Sequence, residues 1–224
     1  SFDYPFPYMV VEECFDQKTL NGLIKEFPKE GFGGVVMGGR KKIESNSPSR
    51  SSLLYDKWMD NSPTWKAFYD FLNNDSTFNS IIGYYDEYLK KWESNLNNNS
   101  SLTTDCWTHI DWSEASDGYI REIHRDTDKR IWNFLIFLSD KDWEGGDFII
   151  HSSDNLKEYP FQIWDDSLPV YKTFEAKKNR GIFFLSTPDS YHSVSKQLNT
   201  NTSRKFVYGS YSYRFGDAFK KRTK

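Results

Sequence analysis

Two of the four histidines in this 224-residue chain precede an aspartate by two positions, in His109-Ile110-Asp111 and His124-Arg125-Asp126. In an extended segment residues i and i+2 point to the same face, so each triplet can aim an imidazole and a carboxylate at one point. Residues 119–124 read as a strand that closes on the second triplet. Residues 181–185, Gly-Ile-Phe-Phe-Leu, read as another strand and lead to His192, 66 residues beyond Asp126. Two imidazoles and one carboxylate hold a metal from one side and leave its other positions open to exchangeable ligands. Such donors suit iron, zinc and manganese alike. A His-x-Asp triplet by itself is common in proteins and decides nothing, so the surrounding text has to choose between the two.

After Asp126 come, in order, the apolar run Ile131-Trp132-Asn133-Phe134-Leu135-Ile136-Phe137-Leu138, then Trp143-Glu144-Gly145-Gly146-Asp147-Phe148, then Asn179-Arg180-Gly181-Ile182-Phe183-Phe184. His192-Ser193-Val194 and Arg204 follow. That order resembles the 2-oxoglutarate/Fe(II)-dependent dioxygenase superfamily, in particular its prolyl-4-hydroxylase-like branch. The family pattern is His-x-Asp, a Tyr-Leu-Asn type strand, a Trp…Gly-Gly-Asp/Glu turn, an Asn-Arg-x-x-x-Phe strand, then His-x-Val and a basic residue. The opening Pro5-Phe6-Pro7-Tyr8, followed by Phe15-Asp16, Leu20, Leu23 and Phe27-Pro28, resembles the N-terminus of many members and extends the likeness to nearly the whole chain. The pattern selects His124 over His109. The family triplet closes a strand, whereas His109 continues into Trp112, and the Gly-Gly turn lies 21 residues after His124 but 36 after His109. His109 is then expected to be structural or pocket-lining, and His151 structural or exposed.

The resemblance implies a facial triad of His124, Asp126 and His192 around Fe(II), with 2-oxoglutarate and O2 as co-substrates. A dicarboxylate needs a cation at its far end, and a guanidinium grips it with parallel hydrogen bonds. Arg204, twelve residues beyond His192, takes that part, with Lys205 on the opposite face of the same strand. Many members carry Arg-x-Ser here; this chain has Phe206 in the serine's place. Asn133 and Tyr119 are candidates for further polar contacts with the co-substrate. The implied reaction is hydroxylation with release of succinate and CO2, and the presence of Asp126 argues against halogenation. Prolyl peptide, free amino acid, sugar and nucleotide all stay open as the primary substrate. Two other readings stay open as well: a non-catalytic jelly-roll module binding a sugar or peptide, and a cupin-type isomerase using zinc or manganese.

The elements that must position these residues read as α+β, mainly β: a double-stranded β-helix, or jelly roll, with N-terminal helices packed on one sheet. One domain is expected over residues 1–224, with helical support and a loop in 1–100 and the jelly-roll core in 101–215. Asp16 fits an N-cap, followed by Leu20, Leu23, Ile24 and Phe27 at helical spacing. Residues 31–50 carry five glycines within nine residues and then Arg40-Lys41-Lys42, which reads as a mobile loop and a candidate lid. Helical periodicity resumes at Pro63; strands are expected over 103–112 and 205–211, a turn over 113–118, and an irregular insertion over 152–176. A formal charge of −3 gives no reason to expect nucleic acid or an anionic membrane as partner. Aromatics make up 18% of the residues, enough to fill a β core or line a substrate groove. Cys14 and Cys106 form no CxxC, and neither a membrane span nor a secretory signal is visible, which reads as a soluble cytoplasmic protein acting on a small molecule or peptide.

Overall fold

Strand β10 (Arg204–Tyr213) shows how the layers arise. Its residues alternate between two faces. Arg204, Phe206 and Tyr208 face the interior between two sheets, while Val207 and Tyr211 face a layer of helices. Strand β3 (Cys106–Ala115) lies beside it in antiparallel register, Tyr208 opposite Asp111 and Arg204 opposite Ala115. On the other side runs β5 (Arg130–Phe137), with Tyr208 opposite Leu135 and Ser210 opposite Asn133.

A computed structural model describes residues 3–29, 40–44, 52–93, 106–127, 130–154, 156, 158, 160–164, 167–199, 201 and 203–213. The remaining strands are β1 (Tyr8–Val11), β2 (Arg40–Glu44), β4 (Arg121–His124), β6 (Phe148–His151), β7 (Val170–Phe174), β8 (Gly181–Leu185) and β9 (His192–Val194). They form a six-stranded sheet in the order β1-β8-β5-β10-β3-β2 and a four-stranded sheet in the order β4-β9-β6-β7. From β3 onward the chain winds between the two sheets, which is a double-stranded β-helix. Phe6, Tyr8, Leu135, Phe137, Phe148, Ile182, Phe184 and Phe206 fill the space between them.

Helices α1 (Gln17–Lys25), α2 (Ser52–Asp60), α3 (Pro63–Leu72), α4 (Asp75–Tyr84) and α5 (Asp86–Glu93) follow the expected N-terminal pattern. Asp16 caps α1, accepting from the Thr19 amide at 2.9 Å. Its spacing then buries Leu20 and Leu23 against Trp65 and the outer face of the six-stranded sheet. Aromatic edges lock this layer: Trp58 and Trp65 meet Trp112 at centroid distances of 4.9 and 5.6 Å, and the Tyr211 hydroxyl donates to Leu72 O at 2.8 Å. No helix among the described residues is long and apolar enough to cross a membrane.

Three expectations need correction. Strand β3 continues through Ser113 to Ala115, because β10 pairs with it over that whole length. Residues 40–44, expected inside a loop, form β2 on the outer edge of β3, where Arg40 and Lys42 reach the buried carboxylate of Asp111 at 3.2 and 3.7 Å. The rest of the loop and lid expectation, residues 31–39 and 45–50, lies outside the described residues. Finally, the 152–176 insertion contains strand β7, and its residues 161–163 pair with β4.

Candidate metal centre

Register brings the two predicted histidines together. In the β4–β9 pair His124 stands directly opposite His192, and an irregularity between Arg121 and His124 turns both of these β4 residues toward the interior. The imidazole centroids lie 4.3 Å apart. Asp126, two residues beyond β4, completes the group, and one donor atom from each of the three side chains falls within 4.8 Å of the others. This is the one such cluster of three among the described residues.

Hydrogen bonds prepare both rings for a metal. His124 Nδ1 lies 2.8 Å from Glu122 O, and His192 Nδ1 lies 2.8 Å from Ser190 O. A carbonyl can only accept, so each Nδ1 carries the proton and each Nε2 presents its lone pair to the site. Burial holds the His124 pKa well below its usual value, helped by His192 and Arg121, and burial also lowers that of His192. Both rings are therefore neutral at pH 7, the state a metal requires.

Asp126 is held at both oxygens. Burial alone would raise its pKa, but Arg130 and the two imidazoles outweigh that, and the net shift is downward. Tyr208 donates its hydroxyl to Asp126 Oδ2 at 2.8 Å and lies 2.9 Å from Asn133 Oδ1. Asn133 Nδ2 in turn donates to Ser186 Oγ at 2.7 Å. Arg130 lies over the Tyr208 ring, 4.8 Å from its centroid, with Nη1 3.8 Å from Asp126 Oδ1. The sequence suggested Asn133 only as a co-substrate contact and gave no role to Tyr208 or Arg130; inward alternation along β10 from Arg204 was the available signal for Tyr208.

Arg204 is buried at the other end of the interior. Its guanidinium packs over Phe206, Tyr119 and Phe137, with centroid distances of 4.6, 5.3 and 5.5 Å, and Nη1 donates to Gly146 O. Burial lowers its pKa to about 10, so it stays charged at neutral pH. Lys205 points the other way, with Nζ 3.9 Å from Glu114 Oε1. Phe206, in the family's serine place, supplies a ring face rather than a hydroxyl. The buried donors Arg204 Nε and Trp143 Nε1 have no hydrogen-bond partner among the described residues. A carboxylate would supply acceptors for both, so this end of the interior fits a dicarboxylate co-substrate.

The Gly-Gly turn explains itself here. Gly146 has φ +69°, and a Cβ there would stand 2.7 Å from Arg204 Nη1 and 3.1 Å from Trp143 Nε1. Glycine is needed both for the backbone and for the close approach of the guanidinium. Gly146→Ala is expected to displace Arg204 and raise the 2-oxoglutarate concentration for half-saturation several-fold. A co-substrate titration checks this, and an unchanged titration would show that Arg204 tolerates the methyl.

The rejected triplet has a different use. His109 Nε2 pairs with Asp111 Oδ1 at 3.0 Å. The charges of Arg40 and Lys42, with the His109 ring alongside, outweigh the opposing effect of burial and hold the Asp111 carboxyl down to about 2. His151 is buried, with Nε2 2.8 Å from Ser193 Oγ, away from the triad.

The comparisons with known proteins follow the same strands. The family model described as "2OG-Fe(II) oxygenase superfamily" matches residues 99–212, which take in β3 through nearly the end of β10. No curated protein matches the chain in sequence. Its fold is similar to that of a prolyl-4-hydroxylase from Pseudomonas putida, with TM-score 0.52 and 12% identity over 93% of each chain. It is also similar to an oxidoreductase of the 2OG-Fe(II) oxygenase family from Burkholderia pseudomallei, with TM-score 0.57 and 12% identity over 94% of this chain and 87% of that one. HygX from Streptomyces hygroscopicus, solved with nickel and 2-oxoglutarate bound, gives TM-score 0.57 at 8% identity, over 93% of this chain and 83% of that one. The sequence match spans just over half of the chain and lies on the strands that carry His124, Asp126, His192 and Arg204, so the chain belongs to the 2OG-Fe(II) oxygenase superfamily.

Proposed function

We propose that His124, Asp126 and His192 bind the Fe(II) of this oxygenase, and that Arg204 and Trp143 hold the distal carboxylate of 2-oxoglutarate with Tyr119 at its flank. The observation that carries this is the pair of Nδ1–carbonyl contacts, which leave two neutral Nε2 atoms and one carboxylate facing a common point. When bound, the metal couples decarboxylation of 2-oxoglutarate to succinate with activation of O2. The protein's part is to hold that assembly in a water-poor interior. Arg204 fixes the far end of the co-substrate, Phe206 and Phe137 exclude water along its length, and Tyr208 fixes the carboxylate of Asp126. Asn133 acts through Tyr208, since its amide oxygen lies at the phenol and its nitrogen donates to Ser186.

The outcome is hydroxylation of a small-molecule or peptide substrate, with a prolyl residue first among the candidates because of the prolyl-4-hydroxylase-like sequence order and the similar fold of the P. putida enzyme. Residues 1–224 work as one domain, the helices backing the sheet that carries Arg204 and Tyr208. The free thiol of Cys14 fits a reducing compartment such as the cytoplasm. Succinate formation with Fe(II), 2-oxoglutarate and a panel of prolyl peptides and free amino acids tests the reading. One substrate is expected to stimulate turnover; turnover unchanged by Fe(II) chelation would overturn it.

Tyr208→Phe is a narrower test. It leaves the ring in place but removes a donor to a metal-ligating carboxylate, a loss that typically costs about 10–100-fold in metal affinity. Anaerobic Fe(II) titration of the variant should show a loss of that size, and an unchanged affinity would show that Arg130 alone suffices.

A further inference from the structure

The connection between β6 and β7 returns to the metal centre. Ile163 N donates to Ile123 O at 2.8 Å and Arg125 N donates to Phe161 O at 3.1 Å, so residues 161–163 run antiparallel to β4 along its open edge. The Tyr191 hydroxyl donates to Pro160 O at 2.6 Å, and Ile163 packs with Ile123, Leu168 and Tyr191, which fixes the segment in place.

Between those two backbone bonds lies the pair His124 and Gln162. It is a pair of the non-hydrogen-bonded type, in which opposite side chains share a face and approach most closely. The inward row across the sheet therefore reads Gln162, His124, His192, Ile150. The Gln162 Nε2 atom is buried and has no hydrogen-bond partner among the described residues. Buried donors are nearly always paired, so an orphan beside a metal ligand points to a missing partner.

A second donor converges on the same place. Arg121 Nε donates to His124 Nε2 at 3.3 Å, using the lone pair that a metal ion takes. A metal ion held by His124 would take that lone pair and leave the Arg121 Nε–H beside the ion to donate to a ligand there. A cationic fork and an amide donor, both flanking His124, suit a carboxylate. This carboxylate is not the one at Arg204. Gly146, on which Arg204 rests, leads into β6, and the Gln162 segment lies beyond β9 and β4, about 14 Å away at ordinary strand spacing.

We propose that the primary substrate carries a carboxylate, and that Gln162 and Arg121 bind it and so set the substrate's position over the metal. The proposal rests on the reading of the metal and co-substrate sites given above and names the substrate class for them. Trp164, two residues beyond Gln162 and 80% exposed, offers an aromatic surface at the rim for the rest of such a molecule.

The test uses the full chain loaded with Ni(II) and 2-oxoglutarate, so that no turnover occurs, and isothermal titration calorimetry as the readout. The probes are matched pairs: free L-amino acids against their primary amides, and short prolyl peptides with free against amidated C-termini. At least one acid should bind about tenfold or more tightly than its amide, and whether it is a free amino acid or a peptide identifies the source of the carboxylate. Gln162→Leu and Arg121→Leu should each remove about tenfold or more of that acid's affinity while leaving its amide and 2-oxoglutarate within about twofold. Equal binding of acid and amide in every pair, or no binding of any probe, would overturn the proposal. Weakened 2-oxoglutarate binding in Gln162→Leu would overturn it too, by giving the amide to the co-substrate. Failure of the unaltered protein to bind 2-oxoglutarate with Ni(II) would instead strike the underlying reading of the site, and this proposal with it.

Discussion

Alanine at His124, Asp126 or His192 is expected to reduce coupled succinate formation to background while circular dichroism and thermal unfolding still report a folded protein. Each residue supplies one of three donors, and the two that remain cannot fix the ion's position or orientation. The fold should survive because the β4–β9 ladder is made by backbone groups, and the apolar side chains of the two main cores, around Trp65 and Trp112 and around Phe137 and Phe184, stay in place. His192 also packs on Phe148 and Phe184, at centroid distances of 5.2 and 4.9 Å, so His192→Ala should be the least stable of the three. His109→Ala should retain most activity, since His109 pairs with Asp111 rather than with the triad. Retained turnover in His124→Ala, with loss in His109→Ala, would reverse the choice of triplet.

Arg204→Met should have the next largest effect, on the 2-oxoglutarate requirement rather than on metal binding. Truncating one partner of a buried charge-assisted pair typically costs about 2–5 kcal/mol, which is roughly 30-fold to several thousandfold in affinity. Methionine fills much of the space beside Phe206 and Tyr119, so the effect reports the lost charge rather than a cavity. Lys205→Met should be far milder, because that ammonium is outward-facing and 37% exposed, and such surface pairs are worth about 0–1 kcal/mol. Titrating 2-oxoglutarate against each variant gives the ranking, and the opposite ranking would move the anchor to Lys205.

What was legible in the sequence was what is local. Period-two alternation and a triplet at a strand end identify His124 and Asp126, and a short apolar strand leads to His192. The choice between Arg204 and Lys205 was narrowed to a question of face, and pairing with β3 and β5 turns Arg204 inward. Long-range register was not legible. Tyr208 meets Asp126 and Asn133 only because β10 pairs with β5 across some 75 residues of chain, and Gln162 meets His124 only through a bridge formed by an insertion. Residues 40–44 lack an apolar alternation, and their strand depends on the open edge of β3 and the buried charge of Asp111. The Gly-Gly turn was visible as a motif, while its function of making room for Arg204 appears only in three dimensions. Family membership together with the assembled triad favours an oxygenase over a binding module that merely keeps a His-x-Asp triplet.

The central claim, that His124, Asp126 and His192 form the iron site beside a 2-oxoglutarate pocket, is tested most directly by anaerobic Fe(II) titration in the presence of 2-oxoglutarate. The readout is the charge-transfer absorption of a metal-chelated 2-oxo acid. The unaltered protein and His109→Ala should saturate at about one Fe(II) per chain, and His124→Ala, Asp126→Ala and His192→Ala should develop no such band. A band of full intensity in any of those three variants, or its loss in His109→Ala, would contradict the assignment.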